Sequence, residues 1–205
     1  MTSRTIFPLV VAAFLFLGFF VPMVRMRLRT GQTGLVLSNA ADAFQPVVKT
    51  ALGLLVAGAS VLAILHAAIG PEAVGVWAVP GSVLFAGVVL AALGTAIMIV
   101  AQAQMRDSWR IGIDSAPTAL VTSGLYRWVR NPIYAGMFIA LAGSVAVAPS
   151  AWSIMGALAI VETIALQVRA EERHLAKEHG DAFHRYASGV GRFLPGIGKL
   201  REAAL

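Results

Sequence analysis

The sequence contains no cysteine, which excludes a disulfide framework, a thiolate metal site and a cysteine nucleophile. Charge is scarce as well: Asp, Glu, Lys and Arg make up 13% of the 205 residues, whereas 58% are hydrophobic. Soluble domains are nearer half apolar and about a quarter charged. With a mean hydropathy of +0.79, the chain therefore reads as an integral membrane protein. A G-x-G-x-x-G nucleotide fingerprint is missing, and there is no internal repeat or low-complexity linker. Acidic residues are outnumbered, 10 against 16 basic ones, for a net charge of +6. Because the basic residues lie beside apolar runs, anionic lipid headgroups rather than nucleic acid are the implied partner.

What is present is a set of long apolar stretches. A helix needs about 20 mostly apolar residues to cross a bilayer. Five stretches qualify: Ile6–Val24, Val47–Ile69, Val79–Ala101, Ile133–Ala148 and Ala151–Val168. The first follows Arg4 and ends in Arg25, Arg27 and Arg29. A signal peptide carries its positive charge in front of a shorter apolar core and a small-residue cleavage site, so this stretch reads as an uncleaved anchor. The last two stretches are short and separated only by Pro149-Ser150, which predicts a tight helical hairpin, either fully crossing or re-entrant. The expected fold is an all-α membrane bundle of about five transmembrane helices with a C-terminal cytoplasmic helical segment. Its length suits a single domain, residues 1–101 supplying the first helices and 102–205 the cofactor-binding and catalytic half.

Loop charge sets the expected orientation. Arg25, Arg27 and Arg29 fall in the first loop, with Lys49 at its far edge where the second stretch begins, and Arg106, Arg110, Arg127 and Arg130 in the loop after the third stretch. Arg169, Arg173, Lys177, Arg185, Arg192 and Lys199 fall in the tail, while the Gly70–Ala78 loop has Glu72 and no basic residue. This places the amino terminus outside and the tail in the cytoplasm, consistent with a bacterial inner membrane. Gly87 and Gly94, and likewise Gly136 and Gly143, are seven apart and so share a helix face, a pattern that lets helices approach closely.

Several polar residues need a reason. Glu162 falls inside the fifth stretch, where an ionisable group is a functional-site candidate by default or else a partner that locks the bundle. His66 and Lys49 lie near span ends, where snorkelling suffices. No metal is expected, since His66, His174, His179 and His184 form no ligand set on one helical face. Beyond the fifth stretch, Val168, Leu175 and Phe183 interleave with charges, predicting a helix broken near Gly180. Asn131-Pro132 opens the fourth stretch, with proline tolerated at a first turn and Asn131 available as the N-cap.

The same residues form a pattern: Gly124-x-Tyr126, Arg130-Asn131-Pro132-x-Tyr134-x-Gly136, Glu171-Glu172-x-x-Leu175, Gly180-x-x-Phe183-x-x-Tyr186 and Arg192-x-x-Pro195. It resembles the isoprenylcysteine carboxyl methyltransferase family and related membrane phospholipid methyltransferases, in a bacterial-type form, over about Ser108 to Pro195. The resemblance implies an S-adenosyl-L-methionine-dependent methyltransferase acting on a lipid-like or membrane-partitioned acceptor. It further implies that Thr118, Ala119, Leu120 and Val121 lie along the cofactor, and that Tyr126, Asn131, Pro132, Ile133, Tyr134 and Glu171 complete its pocket. Two positions depart from the prenylcysteine branch: Asn131 replaces a histidine, and Gln167 stands where that branch carries a substrate-contacting arginine.

Methyl transfer is an in-line displacement at an activated carbon, helped by proximity and exclusion of water. A carboxylate or thiolate acceptor needs no base. An amine must lose a proton, and Glu162 or Glu172 is then the base candidate, with Arg130 a candidate for orienting the acceptor. Two other readings remain open: an NADPH-dependent reductase of the sterol-reductase type, in which Arg127, Arg130 and Arg173 would meet the 2′-phosphate, and a non-enzymatic membrane protein such as a carrier.

Overall fold

A computed structural model describes residues 2–31, 44–105 and 119–200 of the chain. Among these residues every named secondary-structure element is a helix. The first helix runs as α1 (Ser3–Leu15), a wider π-helical turn (Phe16–Phe20) and α2 (Val21–Thr30). It is followed by α3 (Phe44–Ile69), α4 (Gly81–Met105), α5 (Pro132–Val147), α6 (Ala151–His179) and α7 (Asp181–Gly189). Among the described residues, four helices are long and apolar enough to cross a membrane: Ser3–Thr30, α3, α4 and α6. With 16 residues, α5 reaches about 24 Å at the helical rise, a little short of a roughly 30 Å hydrocarbon core. The all-α membrane bundle expected from hydropathy is the fold observed.

The sixth helix differs from expectation in length. Its apolar run ends near Val168, but its backbone continues unbroken to His179. Leu175, Val168 and Ile164 keep an apolar stripe going while the opposite side turns polar, so nothing in the sequence stops the helix before Gly180. There φ is +50°, a conformation glycine adopts without a Cβ penalty, and α7 starts at the next residue. At its other end the tight hairpin holds. Ser150 and Ser153 form reciprocal side-chain-to-backbone caps, with Ser153 N–H donating to Ser150 Oγ at 3.1 Å and Ser150 N–H to Ser153 Oγ at 2.9 Å. Such a box satisfies two amides that the first turn cannot.

Contacts at the two ends fix the topology. At one end, Arg4 donates to the carbonyls of Ala67 and Ala68 at 2.9 and 2.8 Å, and Trp77 N–H donates to Pro149 O at 2.8 Å. His66 belongs here as well. Far from snorkelling, it is fully buried, packed 5.1 Å from the Phe7 ring with Nε2 2.9 Å from Ser3 O. The start of α1 closes over the end of α3, so the ring locks two helices instead of reaching for water. The opposite end gathers Arg25, Arg27, Arg29 and Lys49 together with Arg127, Arg130 and the polar half of α6.

Between the ends, α4 and α5 form the closest helix pair. A methyl group added to Gly94 would lie 2.5 Å from Gly136 O, and one added to Gly143 would lie 2.6 Å from Gly87 O. The four glycines therefore face one another in reciprocal pairs, backbone against backbone. Van der Waals contact of this kind drives helix association where lipid is as apolar as leucine. The seam holds α4 and α5 in one register, and both helices end beside the polar residues described next.

Candidate active site

The chain leaves α4 at Met105 and is described again from Ala119. It makes a short turn at Gly124–Arg127, steadied by Gln104 at the end of α4, whose Oε1 accepts from Leu125 N–H at 2.8 Å. Tyr126 is buried beneath it, its hydroxyl 3.4 Å from Ala101 O and its own carbonyl accepting from the Tyr186 hydroxyl at 2.6 Å. Burial raises the pKa of both phenols, that of Tyr186 to about 12, where nearby Arg130 opposes the rise and Glu172 adds to it. The turn then meets the tail. Arg130 N–H donates to Gly191 O at 2.8 Å and Asn131 N–H to Arg192 O at 3.1 Å, in a short parallel bridge that lays residues 129–131 along 191–192.

Arg130, Asn131 and Arg192 converge on one carboxylate. Glu172 Oε1 accepts from Arg130 Nε at 3.1 Å and from Asn131 Nδ2 at 3.1 Å. Arg192 reaches Oε2 through Nε at 3.0 Å and Nη2 at 2.7 Å. The rest of the Arg130 guanidinium donates to the carbonyls of Ala187, Val190 and Gly198, so four of the five N–H groups of an arginine are bonded within the fold. Arg130 and Glu172 are each only 6% exposed. Removing one partner of a buried pair leaves an uncompensated charge, at a cost of about 3–5 kcal/mol. This cluster ties α5, α6, α7 and the tail together. Asn131 takes the N-cap position of α5 as expected, but its carboxamide makes no cap bond and turns to Glu172 instead.

Glu171, the next residue, has different partners. Its Oε1 accepts from the Tyr134 hydroxyl on α5 and from Gln167 Nε2 one turn back on α6, both at 2.8 Å. Gln167 Oε1 in turn accepts from Gln45 Nε2 on α3 at 3.3 Å. The carboxylate can only accept, which fixes the Gln167 amide with its NH₂ toward Glu171. That leaves Gln167 Oε1 for Gln45 and aims Gln45 Nε2 at it. Gln45 is 3% exposed, and its Oε1 is buried without a partner among the described residues. An unmet buried acceptor is costly, so there is room here for one further donor.

Of the residues expected at the site, Tyr126, Asn131, Pro132, Ile133, Tyr134, Glu171, Arg130 and Glu172 gather at this end, with Ala119, Leu120 and Val121 leading into the turn. Thr118 lies outside the described residues. Glu162 does not join them. It is exposed, and at 3.6 residues per turn a nine-residue separation sets it about 180° round the helix from Glu171. Sequence reasoning missed Gln45, whose only signal was an amide at the start of an otherwise apolar stretch, and assigned no contact to Gln167.

A family model described as phospholipid methyltransferase matches residues 82–182, from the start of α4 to the start of α7. Among solved structures, a eukaryotic intramembrane Ras methyltransferase, isoprenylcysteine carboxyl methyltransferase, has the same fold with a TM-score of 0.60 and 18% sequence identity. The match covers 93% of this chain and 66% of that chain, so this chain spans just under two thirds of that relative's length. No curated protein matches the sequence.

Proposed function

We propose that this chain, a member of the membrane phospholipid methyltransferase family, uses S-adenosyl-L-methionine to methylate a lipid-like acceptor at the cytoplasmic face of a bacterial inner membrane. The observation that carries the reading is the Glu171 carboxylate. It is held by Tyr134 and Gln167 beside the unmet Gln45 oxygen, at the membrane end richest in arginine.

The donor set fits the cofactor. An ammonium is well matched by the Glu171 carboxylate and Gln45 Oε1, an adenine by the aromatic residues Tyr126 and Tyr134, and a carboxylate by backbone N–H groups of residues 119–121. When bound, the cofactor supplies a methyl group on a sulfonium, already activated for displacement. The protein's own residues then bind, orient and exclude water. In this reading Glu171 is the cofactor-contacting group, whereas Arg130 and Glu172, most of whose bonding atoms are occupied within the fold, position Asn131 and the start of α5 that carries Tyr134. Glu162 stands outside the site. The catalytic half then needs one residue from the first hundred, Gln45. With Gln167 where a clamping arginine would hold a carboxylate, a prenylcysteine is disfavoured as acceptor.

The test is incubation of the detergent-purified protein with methyl-labelled S-adenosylmethionine and a bacterial lipid extract, with mass identification of the labelled product. A labelled lipid is the expected result. Saturable binding of NADPH with no binding of S-adenosylmethionine would overturn the reading.

A further inference from the structure

The π-helical turn in the first helix opens a second polar place, on the face of α4 turned away from Tyr126. In a regular helix the donor to Gly18 O would be the N–H of residue 22, four residues on. Residue 22 is proline, which has none. The helix widens across Phe16–Phe20, and Gln102 of α4 reaches across to donate to Gly18 O through Nε2 at 2.9 Å. That carbonyl can only accept, so it fixes the amide with Oε1 pointing the other way. Gln102 is 7% exposed, and its Oε1 is buried with no partner among the described residues. The residue lines a shallow, open cleft between α2 and α4, whose walls include Pro22, Arg25, Arg29 and Ile99.

Helix length says what fills it. The 28 residues from Ser3 to Thr30 reach about 42 Å, some 12 Å more than the hydrocarbon core, so the turns bearing Arg25 stand at headgroup depth. Exposed Phe20 and Val100 nearby offer apolar surface to acyl chains. We propose that this cleft is a binding site for an anionic phospholipid whose headgroup carries a hydroxyl. Its phosphodiester oxygens accept from the Arg25 guanidinium, and its hydroxyl donates to Gln102 Oε1. The site is separate from the Glu171 cluster, and its lipid is a resident of the fold rather than the methyl acceptor.

The experiment is native mass spectrometry and thermal melting of the purified full chain with three lipids. Phosphatidylglycerol has both charge and hydroxyls, phosphatidylmethanol has the charge without a hydroxyl, and phosphatidylcholine has neither net charge nor hydroxyl. Retention and melting temperature are expected to fall in that order. Arg25→Gln is expected to lower phosphatidylglycerol occupancy about fivefold, the share of one basic residue at a membrane surface. Arg27→Gln, on the same helix but off the cleft wall, leaves it unchanged. Equal losses in both variants, or equal retention of phosphatidylglycerol and phosphatidylcholine, overturn the site. Equal retention of phosphatidylmethanol and phosphatidylglycerol overturns the role of Gln102. Equal protection by sn-glycerol 3-phosphate overturns the lipid in favour of a soluble phosphate.

Discussion

Glu171 and Glu172 are neighbours in the chain, yet their carboxylates serve opposite ends of the problem. Glu172 is saturated by Arg130, Asn131 and Arg192, while Glu171 takes one tyrosine and one amide and lies beside an unmet acceptor. The two glutamines made at these positions should therefore fail differently. Glu171→Gln is expected to weaken S-adenosylmethionine binding by about 1.5–3 kcal/mol, the worth of a charged hydrogen bond, with little change in melting temperature. Calorimetric titration beside a thermal melt reads both, and unchanged affinity in a folded variant removes Glu171 from the cofactor site.

Glu172→Gln should instead destabilise the protein by about 3–5 kcal/mol, because two guanidinium groups lose their shared counter-charge in a buried place. Denaturation in detergent checks this. A variant as stable as wild type would mean that the cluster is solvated.

Arg130→Lys should fall between the two. Lysine keeps the charge but has three donors and no planar fork, so it cannot span Glu172 and the carbonyls of Ala187, Val190 and Gly198 at once. A loss of about 2–3 kcal/mol in stability is expected from hydrogen bonds to charged groups left unmade. Activity measured at a temperature where the variant is folded should recover much of the wild-type rate. If turnover stays abolished in folded protein, Arg130 touches the reacting groups.

The Tyr186 phenol gives a pH signature. Its folded pKa, about 12, lies above the usual value near 10, so the proton is held more tightly in the folded state. The corresponding stability is fully present below about pH 10 and is lost as pH rises through about 12. Burial pushes Tyr126 in the same direction. Tyr186→Phe should flatten the part of this alkaline loss between pH 10 and 12, and should cost about 1 kcal/mol at neutral pH for the bond to Tyr126 O. An unaltered alkaline limb would show that another group sets it.

In the seam between α4 and α5, Gly94→Ala should destabilise by about 1–3 kcal/mol through overpacking, since the new methyl meets the Gly136 carbonyl. Gly58→Ala on α3, where an added methyl meets nothing within 4 Å, is the control. It should be neutral or stabilising, because alanine favours a helix over glycine. Equal effects at the two sites would mean that α4 and α5 are not in contact.

The helices were readable because hydropathy reports span after span, and the glycine spacing announced a close helix face before any contact was known. The Arg130–Glu172 cluster was readable only as a set of motif positions. What hid it is direction: a sequence lists Glu171 and Glu172 side by side, but one helical step turns them by about 100° into different surroundings. The same geometry removed Glu162, nine residues from Glu171 and on the other side of the helix. Gln45 and Gln102 were invisible for a different reason. Each is an ordinary amide in an apolar stretch, and its meaning comes from a partner far away in the chain, Gln167 for one and Gly18 for the other. Pro22 carried a clue to the second, since a proline at that place leaves a carbonyl asking for a donor.

The glycine seam has a mechanical consequence for the site. Helices whose backbones touch cannot part by rotating a side chain, so α4 and α5 behave as a single post. Both anchor points of the described turn, Gln104 on α4 and Asn131 at the start of α5, are mounted on that post and keep a constant separation. That side of the polar cluster is therefore rigid. On the opposite side α3 packs on α6, with Gln45 donating to Gln167 at 3.3 Å. There a methyl added at Gly53, Gly58 or Gly156 would meet nothing within 4 Å, so this contact is made by side chains and can yield where the glycine seam cannot.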